Sequence, residues 1–178
     1  SVSRGLGDVY KRQVAERENI QVTEEKELLQ QRTQGSRNEM EIVFDAVSCN
    51  ESFARVAVAA FITHLNPTLE ELADIKTAVS EAVTNAIIHG YEDETKQVEL
   101  TCDQNGQQLV VTVEDHGVGI EDLEQALQPF FTTKPELERS GMGFSFMEAF
   151  MDRIEVRSKK GEGTRVVMWK YIEREREQ

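Results

Sequence analysis

The chain has 178 residues, of which 20 are Lys or Arg and 33 are Asp or Glu, so its formal charge is −13 and its sequence pI is about 4.7. Its composition, 39% apolar and 30% charged, supports one hydrophobic core and excludes collagenous, low-complexity and wholly disordered classes. The negative charge argues against direct nucleic-acid binding, which needs basic stripes, and favours a partner that is itself basic.

The sequence carries no signal for a membrane or for an oxidising compartment. It has no run of eighteen apolar residues, and its first thirty residues lack a continuous apolar segment of the signal-peptide type. These features predict a cytoplasmic protein without membrane association. Cys49 and Cys102 lie far apart and lack zinc-site spacing, which is typical of reduced structural thiols.

Residues 1–36 differ in composition from the rest of the chain. They contain six basic and six acidic side chains, so the whole net charge falls in residues 37–178. We expect an N-terminal extension over 1–36, either a loose helix or disordered, whose opening resembles a non-native appendage. One domain over 37–173 and a charged tail over 174–178 would follow.

Hydrophobic periodicity predicts a strand and then two helices at the start of the domain. Alternation of apolar and acidic residues predicts a strand over 39–45 with Met40, Ile42 and Phe44 on its buried face. Asn50 and Ser52 predict the start of a helix that reaches about residue 65. Its expected core side consists of Phe53, Val56, Ala57, Ala60 and Phe61.

The second helix is predicted over 68–89, because Pro67 suits a helix start. Its apolar residues recur at helical spacing and predict a stripe that faces the core. The members of this stripe are Leu72, Ile75, Val79, Ala82, Val83 and Ala86.

Four more strands and a short helix are predicted in the second half of the domain. Strands over 97–102 and 108–115 are joined by a turn over 103–106. A polar stretch over 116–143 is long for a connection, a short helix spans 142–151, and strands over 153–158 and 163–171 close the domain. This grouping predicts an α+β fold: a two-layer sandwich with a mixed, mostly antiparallel sheet and helices on one face.

The second predicted helix carries a polar ridge. Glu81, Asn85 and His89 follow one another at i, i+4 spacing, so they lie on one side of an otherwise apolar helix. Such a ridge fits the wall of a cleft. The alternative interpretation is an ordinary solvated helix face.

A second candidate motif begins where a predicted apolar strand ends. Asp115 is followed at short range by Gly117 and Gly119, and glycines let a ligand approach the backbone closely. A carboxylate at a buried strand end needs donors, and the exocyclic amine of a purine would supply one. Taken alone, the motif is equally compatible with a plain turn.

A third motif occupies the polar stretch and the start of the short helix. Glycines, hydroxyl and cationic side chains and backbone N–H groups at a helix start are the donors that a polyphosphate needs. The chain has no Walker-type P-loop. The residues concerned are Thr132, Thr133, Lys134, Arg139, Ser140, Gly141, Met142 and Gly143.

Together the three motifs carry a family resemblance. The segment 80–91 resembles the N box of the GHKL (Bergerat-fold) ATPases and kinases, 115–119 resembles their first glycine box, and 141–143 resembles the second. Within that superfamily, 131–144 is similar to the sporulation sigma-F anti-sigma factors, which are serine protein kinases of endospore-forming bacteria. The resemblance covers about residues 38–172 and leaves out 1–36.

The resemblance implies roles for individual residues around one Mg²⁺–ATP. Glu81 would be the general base, and Asn85 would give an oxygen to Mg²⁺. Asp115 would recognise the adenine amine, with Thr164 joining that contact. The glycines of the first box, Gly117 and Gly119, would lie beside the base. The third motif would form the phosphate side, with Arg139 on the γ-phosphate.

The resemblance also implies what the protein does. It would bind and sequester a sigma factor and phosphorylate a serine of an anti-anti-sigma factor, acting as a homodimer. Our own hypothesis is that an exposed edge strand near Met40 to Phe44 is part of the dimer interface. One alternative is a detached histidine-kinase catalytic domain, although none of the three histidines, His64, His89 and His116, lies in the extension. The other alternative is a nucleotide-gated binding module without turnover.

Overall fold

Alternating apolar residues build one five-stranded sheet. The structure is a computed structural model that describes residues 37–91, 96–128 and 142–173. Its strands run in the spatial order β1-β2-β3-β5-β4, and each neighbouring pair is antiparallel. The strands are β1 (Arg37–Asp45), β2 (Gln97–Asn105), β3 (Gln108–Asp115), β4 (Arg153–Lys159) and β5 (Gly163–Tyr171).

Helices cover one face of this sheet. The second helix packs between the first and the last, and the apolar side chains between helices and sheet form a single core that includes Val58, Ile75, Leu100, Val111 and Met147. The two-layer α+β fold predicted above is therefore confirmed. The helices are α1 (Cys49–Ile62), α2 (Leu69–Asn85), α3 (Leu123–Ala126) and α4 (Gly143–Phe150).

Polar contacts occupy the other face of the sheet. Arg165 on β5 pairs with Glu114 on β3 at 3.0 Å, and the guanidinium of Arg153 lies 4.7 Å from the ring centre of Trp169. The period of two along each strand separates this face from the core face. Side chains that point toward the helices are thus the ones available to a site between the layers.

The predicted core side of α1 is wrong except for Phe61, which is partly buried and packs against the core. The buried residues of α1 are Ala54, Val58 and Ile62, spaced at i and i+4, whereas Phe53 and Val56 are 54% and 60% exposed. Periodicity alone could not choose between two adjacent apolar stripes, because this helix is apolar around most of its circumference. Phe53 instead makes an edge contact with Phe44 of β1, with ring centres 6.3 Å apart.

The start of α1 also differs from the prediction. Asn50 and Ser52 lie inside the helix and Ser48 occupies the N-cap position without a side-chain cap. The Asn50 amide instead donates to the carbonyl oxygen of Asp45 at 2.8 Å. This bond connects the helix directly to the end of β1.

A capping box fixes the start of α2. Glu71 N–H donates to Thr68 Oγ1 at 3.1 Å, and Thr68 N–H donates to Glu71 Oε2 at 2.8 Å, which satisfies two amide groups that a helix start leaves without partners. After Asn85 the helix widens into a π turn, Ala86–Gly90. The predicted ridge therefore ends at Asn85, because the wider turn breaks the helical period before His89.

The hairpin between β2 and β3 is tighter than predicted. Asn105 pairs with Gln108, so only Gly106 and Gln107 form the turn, and Gly106 has a φ of +61°. Gln104 lies within the strand rather than in the turn. Its buried amide donates to Gly106 O at 2.5 Å, so a polar residue enters the core side with its hydrogen bond satisfied.

Several predictions about the chain as a whole fall partly outside the described residues. The described residues do not include 1–36 and 174–178, which the sequence assigns to an extension and a tail. The division of the chain into extension, domain and tail therefore stays a prediction. In the described ranges, no helix combines the length and apolar character needed to traverse a bilayer. Cys49 is exposed and Cys102 is buried, and both are free thiols.

Candidate functional site

The carboxylate and amide predicted on the polar ridge meet the start of α4. A Cβ atom added to Gly143 would stand 3.1 Å from Glu81 Oε2, 3.1 Å from Asn85 Nδ2 and 3.3 Å from Asn85 Oδ1. A side chain at position 143 would crowd both groups, so α4 begins close to α2. The structure thus brings together the first motif and the glycine that ends the third.

Asp115 lies buried at the end of β3. Its side chain is 3% exposed, and its Oδ1 accepts the Gly117 N–H at 3.0 Å. Burial raises the pKa of this carboxyl, although hydrogen bonds from the backbone of Gly117 and Thr164 act in the opposite direction. A carboxylate has about four acceptor positions, so this one retains capacity for a donor of a ligand.

Glycines hold the end of the π turn against the loop after Asp115. An added Cβ on Gly90 would be 2.8 Å from Asp115 Cγ, and one on Gly117 would be 1.5 Å from Gly90 O. The Val118 N–H donates to the same Gly90 oxygen at 2.8 Å. The helical run that carries Glu81 and Asn85 therefore ends in direct contact with the buried carboxylate.

The closing hairpin forms the other wall beside Asp115. Thr164 is its register partner on β5, and a Cβ on Gly163 would lie 1.9 Å from Asp115 O. Gly119, with a φ of +67°, packs against the β4 end, where an added Cβ would be 2.1 Å from Lys159 O. A shallow depression on the outer face of the sheet is lined at this end by Glu114, Arg157 and Arg165, and it is separate from the side of the sheet to which the Asp115 side chain points.

Tyr91 holds the loop from its outer side. Its hydroxyl accepts the His116 N–H at 2.9 Å and donates to Gln97 O at 2.6 Å. Nε2 of the His116 ring lies 3.3 Å from Oε1 of the half-buried Glu99. The charge of His116 acts on Asp115 and opposes the rise in the pKa of that carboxyl.

Six of the predicted site residues lie outside the described part of the chain. The structure describes Glu81, Asn85, Asp115, Gly117 and Gly119, and also Met142, Gly143 and Thr164. Nothing is added here to the prediction for the remaining six, which are Thr132, Thr133, Lys134, Arg139, Ser140 and Gly141.

Sequence reasoning missed four residues of the site. Gly90 and Gly163 make the closest backbone approaches to Asp115 and its neighbours, Tyr91 anchors the loop, and Ser158 on β4 contacts both the loop and β5. The glycines could have been noticed from their positions at the end of a helix and the start of a strand. Ser158 carried no signal, because it becomes part of the site only through strand pairing.

The two halves of the site lie along one helical run. Glu81 and Asn85 lie in the last turns of α2, and the π turn that follows ends at Gly90 beside Asp115. A buried carboxylate lies at one end, and a carboxylate, an amide and the start of a helix lie at the other. Such an arrangement can hold a base with an amino group and a polyphosphate at the same time.

Comparison with known proteins places this geometry in context. Residues 49–170 match the histidine kinase-like ATPase domain. The chain is 58% identical to the anti-sigma F factor of Clostridium kluyveri over 133 residues, which cover 75% of this chain and 94% of that relative. Identity is 60% over 134 residues with the anti-sigma F factor of Clostridium perfringens, covering 75% and 96%. It is 59% over 137 residues with that of Anoxybacillus flavithermus, covering 76% and 94%.

A solved structure shows the same fold at low identity. The RsbU and RsbW domains of a Mycobacterium tuberculosis protein superpose with a TM-score of 0.59 at 19% identity. The match covers 78% of this chain and 33% of that one. At this identity the likeness concerns the fold alone.

Proposed function

The chain belongs to the histidine kinase-like ATPase family and, within it, to the anti-sigma F factors, and from this premise we propose that it sequesters a sporulation sigma factor. We further propose that it uses Mg²⁺–ATP to phosphorylate a serine of the anti-anti-sigma factor that would release the sigma factor. The observation that carries this proposal is that Glu81 and Asn85 lie beside the start of α4 at Gly143, on a helical run whose far end packs against buried Asp115. Sigma factors act on RNA polymerase, so the proposed activity is cytoplasmic.

Asp115 provides the adenine end of the proposed mechanism. Its carboxylate accepts from the exocyclic amine. Gly117 and Gly119 lie beside the base in this proposal, and their lack of a side chain lets the loop pack against the backbone of Gly90 and Lys159. Because the carboxylate is already fixed by the Gly117 N–H, it needs no rearrangement when the base enters. Thr164 presents its hydroxyl on the adjacent strand at the same level of the sheet.

The transfer itself needs a base and a fixed geometry. The serine oxygen of the partner attacks the γ-phosphorus, its proton passes to the Glu81 carboxylate, and the bond from phosphorus to the β–γ bridging oxygen breaks to release ADP. The start of α4 contributes N–H groups toward the phosphates. Thr132, Thr133, Lys134, Arg139 and Ser140 complete the phosphate side in this proposal.

The donor set at Glu81 and Asn85 fits a magnesium ion. Mg²⁺ prefers oxygen ligands and is commonly held by one or two protein groups together with substrate phosphates, and Asn85 Oδ1 faces the same space as Glu81 Oε2. Asn85 would hold the ion. When bound, it would neutralise charge on the phosphates.

A transfer assay tests the proposed reaction. The purified chain is incubated with labelled ATP and the anti-anti-sigma factor, and the product is tested for acid stability. Acid-stable phosphoserine on the partner is the expected result. Acid-labile label would instead support a histidine-kinase domain, and nucleotide binding without transfer would support a nucleotide-gated binding module.

A pair of variants on the same helix assigns the general base. We expect Glu81→Gln to bind Mg²⁺–ATP but to lose transfer by about 10²-fold or more. Glu70→Gln is the matched control, because this glutamate is exposed in the first turn of the same helix. Transfer by Glu81→Gln at the wild-type rate would remove the role of Glu81.

We also propose that the protein acts as a homodimer. Strand β1 lies at the edge of the described sheet and offers unpaired backbone groups that a second chain can use. Light scattering at micromolar protein is expected to give the mass of a dimer. A monomeric mass under these conditions would overturn the proposal.

A further inference from the structure

The Ser158 hydroxyl joins three segments of the site. It accepts the Ile120 N–H from the loop that follows Asp115 at 2.7 Å, and it donates to Gly163 O at 3.0 Å. Its oxygen also lies 2.8 Å from Thr164 Oγ1. Ser158 and Thr164 are register partners on β4 and β5, and Asp115 is the partner of Thr164 on β3. The three side chains therefore form a row across neighbouring strands.

The number of protons in this group determines the role of each oxygen. A serine hydroxyl has one proton and two lone pairs. A carbonyl oxygen can only accept, so the Ser158 proton goes to Gly163 O, and the Ile120 N–H takes one lone pair. The second lone pair can then be used only if the Thr164 hydroxyl donates to it. One arrangement satisfies all three contacts, and in it Thr164 has no proton left for a ligand.

The row thus presents acceptors. Asp115 is an acceptor, and the backbone N–H groups of Gly117 and Thr164 are already engaged with its carboxylate. Asp115, Thr164 and Ser158 are register partners on β3, β5 and β4, so their side chains point to the same face of the sheet. Two neighbouring acceptors match an exocyclic amine, which has two N–H donors, and repel a carbonyl oxygen at the same place.

We propose that Ser158 is a positioning residue that makes Thr164 an acceptor and thereby selects a 6-amino purine over a 6-oxo purine. This inference rests on the proposed function, which assigns Asp115 and Thr164 to the adenine. Removal of the Ser158 hydroxyl releases the Thr164 proton, so Thr164 can then donate to a 6-oxo group. Loss of the Ile120 anchor weakens binding of every nucleotide, whereas the change at Thr164 alters the preference between bases.

The test measures that preference directly. Calorimetry gives the dissociation constants of Mg²⁺–ADP and Mg²⁺–IDP, which differ in the 6-amino and 6-oxo groups and are not turned over. The preference for ADP is the dissociation constant of Mg²⁺–IDP divided by that of Mg²⁺–ADP. We expect Ser158→Ala to lower this preference by about three- to tenfold, the value of one hydrogen bond. Ser158→Thr keeps the hydroxyl and is expected to keep the ratio. Ser52→Ala on α1 is the matched control.

A double-mutant cycle shows whether Ser158 acts through Thr164. In a Thr164→Val background, Ser158→Ala is expected to weaken both nucleotides equally, because no Thr164 hydroxyl remains to be redirected. If Ser158→Ala does not fold, Ser158→Cys makes the same comparison, since a thiol is a weak acceptor.

The outcomes separate this inference from the proposed function. A wild type that prefers ADP, together with a Ser158→Ala variant that loses affinity for both nucleotides by the same factor, overturns the inference alone. Equal wild-type affinity for ADP and IDP also overturns it. A wild type that binds neither nucleotide removes the proposed function and the inference together.

Discussion

Among single residues, Asp115 shows most clearly how a site departs from what stability alone would select. Its carboxylate is buried beside the core, and such a group is expensive to ionise without donors. Two backbone N–H groups stabilise the charge in part, yet burial still raises its pKa. We infer that the capacity left on its oxygens is what the adenine amine uses.

The raised pKa of Asp115 predicts a pH-dependent effect of Asp115→Asn. The stability that this carboxyl contributes is fully present below its unfolded pKa and is lost as pH rises through its higher folded pKa. Wild type should therefore gain unfolding free energy relative to Asp115→Asn as pH falls from about 7 to about 4.5. Urea unfolding measures this difference, with the exposed Asp103→Asn on β2 as the control.

The same variant should lose nucleotide binding, because an amide presents donors as well as an acceptor to the adenine amine. A stability difference that stays constant with pH would contradict the burial argument. Equal nucleotide affinity in Asp115→Asn and wild type would remove the adenine assignment.

The two cysteines should differ sharply in reactivity. Burial raises the pKa of Cys102 to about 12, and the thiolate is the reactive form, whereas Cys49 is exposed. A thiol reagent should therefore modify Cys49 in the native protein and Cys102 only after denaturation. Mass spectrometry of the modified peptides identifies the site, and rapid native modification of Cys102 would contradict its burial.

Among the elements, α2 organises the molecule because it contributes to both the core and the site. Its start is fixed by the Thr68–Glu71 capping box, and Glu71 Oε1 also accepts the Glu173 N–H at 2.9 Å. The Glu71 carboxylate thus connects the segment directly after β5 to the start of α2. Burial would raise the pKa of Glu71, but backbone hydrogen bonds from Glu173 and Thr68 lower it overall.

Glu71→Ala is expected to reduce the unfolding free energy by about 1–2 kcal/mol near neutral pH, because a cap and two hydrogen bonds are lost. The contribution of a carboxyl with a lowered pKa is present above its unfolded pKa and is lost as pH falls through the folded value. The penalty measured by urea unfolding should therefore shrink in acid. Glu70→Ala, one residue earlier in the same turn, should cost only about 0.5 kcal/mol.

The start of α4 is equally specific, because a Cβ on Gly143 would stand 3.1 Å from both Glu81 and Asn85. Gly143→Ala should displace these side chains by a few tenths of an ångström and lower transfer by about tenfold, since small misplacements in a site are costly. The unfolding free energy should change by less than about 1 kcal/mol, because alanine favours a helix. Ser145→Ala in the same helix is the control, and wild-type transfer by Gly143→Ala would contradict the contact.

For the whole molecule, charge governs encounters with partners. The net charge of −13 lies within residues 37–178, and a sigma factor that binds DNA presents a basic surface. Opposite charges accelerate association and are screened by salt. We expect the association rate with the sigma factor to fall by roughly tenfold between about 50 and about 300 mM NaCl. Stopped-flow fluorescence measures it, and a rate independent of salt would contradict electrostatic steering.

The sequence by itself determined the fold class, the strands and the motifs. Period-two alternation and helical spacing are local properties, so β3, β5 and the core stripe of α2 could be predicted closely. The N box and the glycine boxes could be recognised because each is a contiguous sequence motif. The curated relatives confirm the family that these motifs indicate.

Only the tertiary structure decided which face of α1 is buried, where the α2 ridge ends and how the site is closed. Phe53 and Ala54 are neighbours in the chain, and only the packing of α1 on the sheet chose Ala54 for the core. Ser158 and Thr164 face each other through strand pairing, and Gly143 meets Glu81 through helix packing. Such contacts join residues far apart in the chain, where local periodicity carries no information about which surfaces will meet.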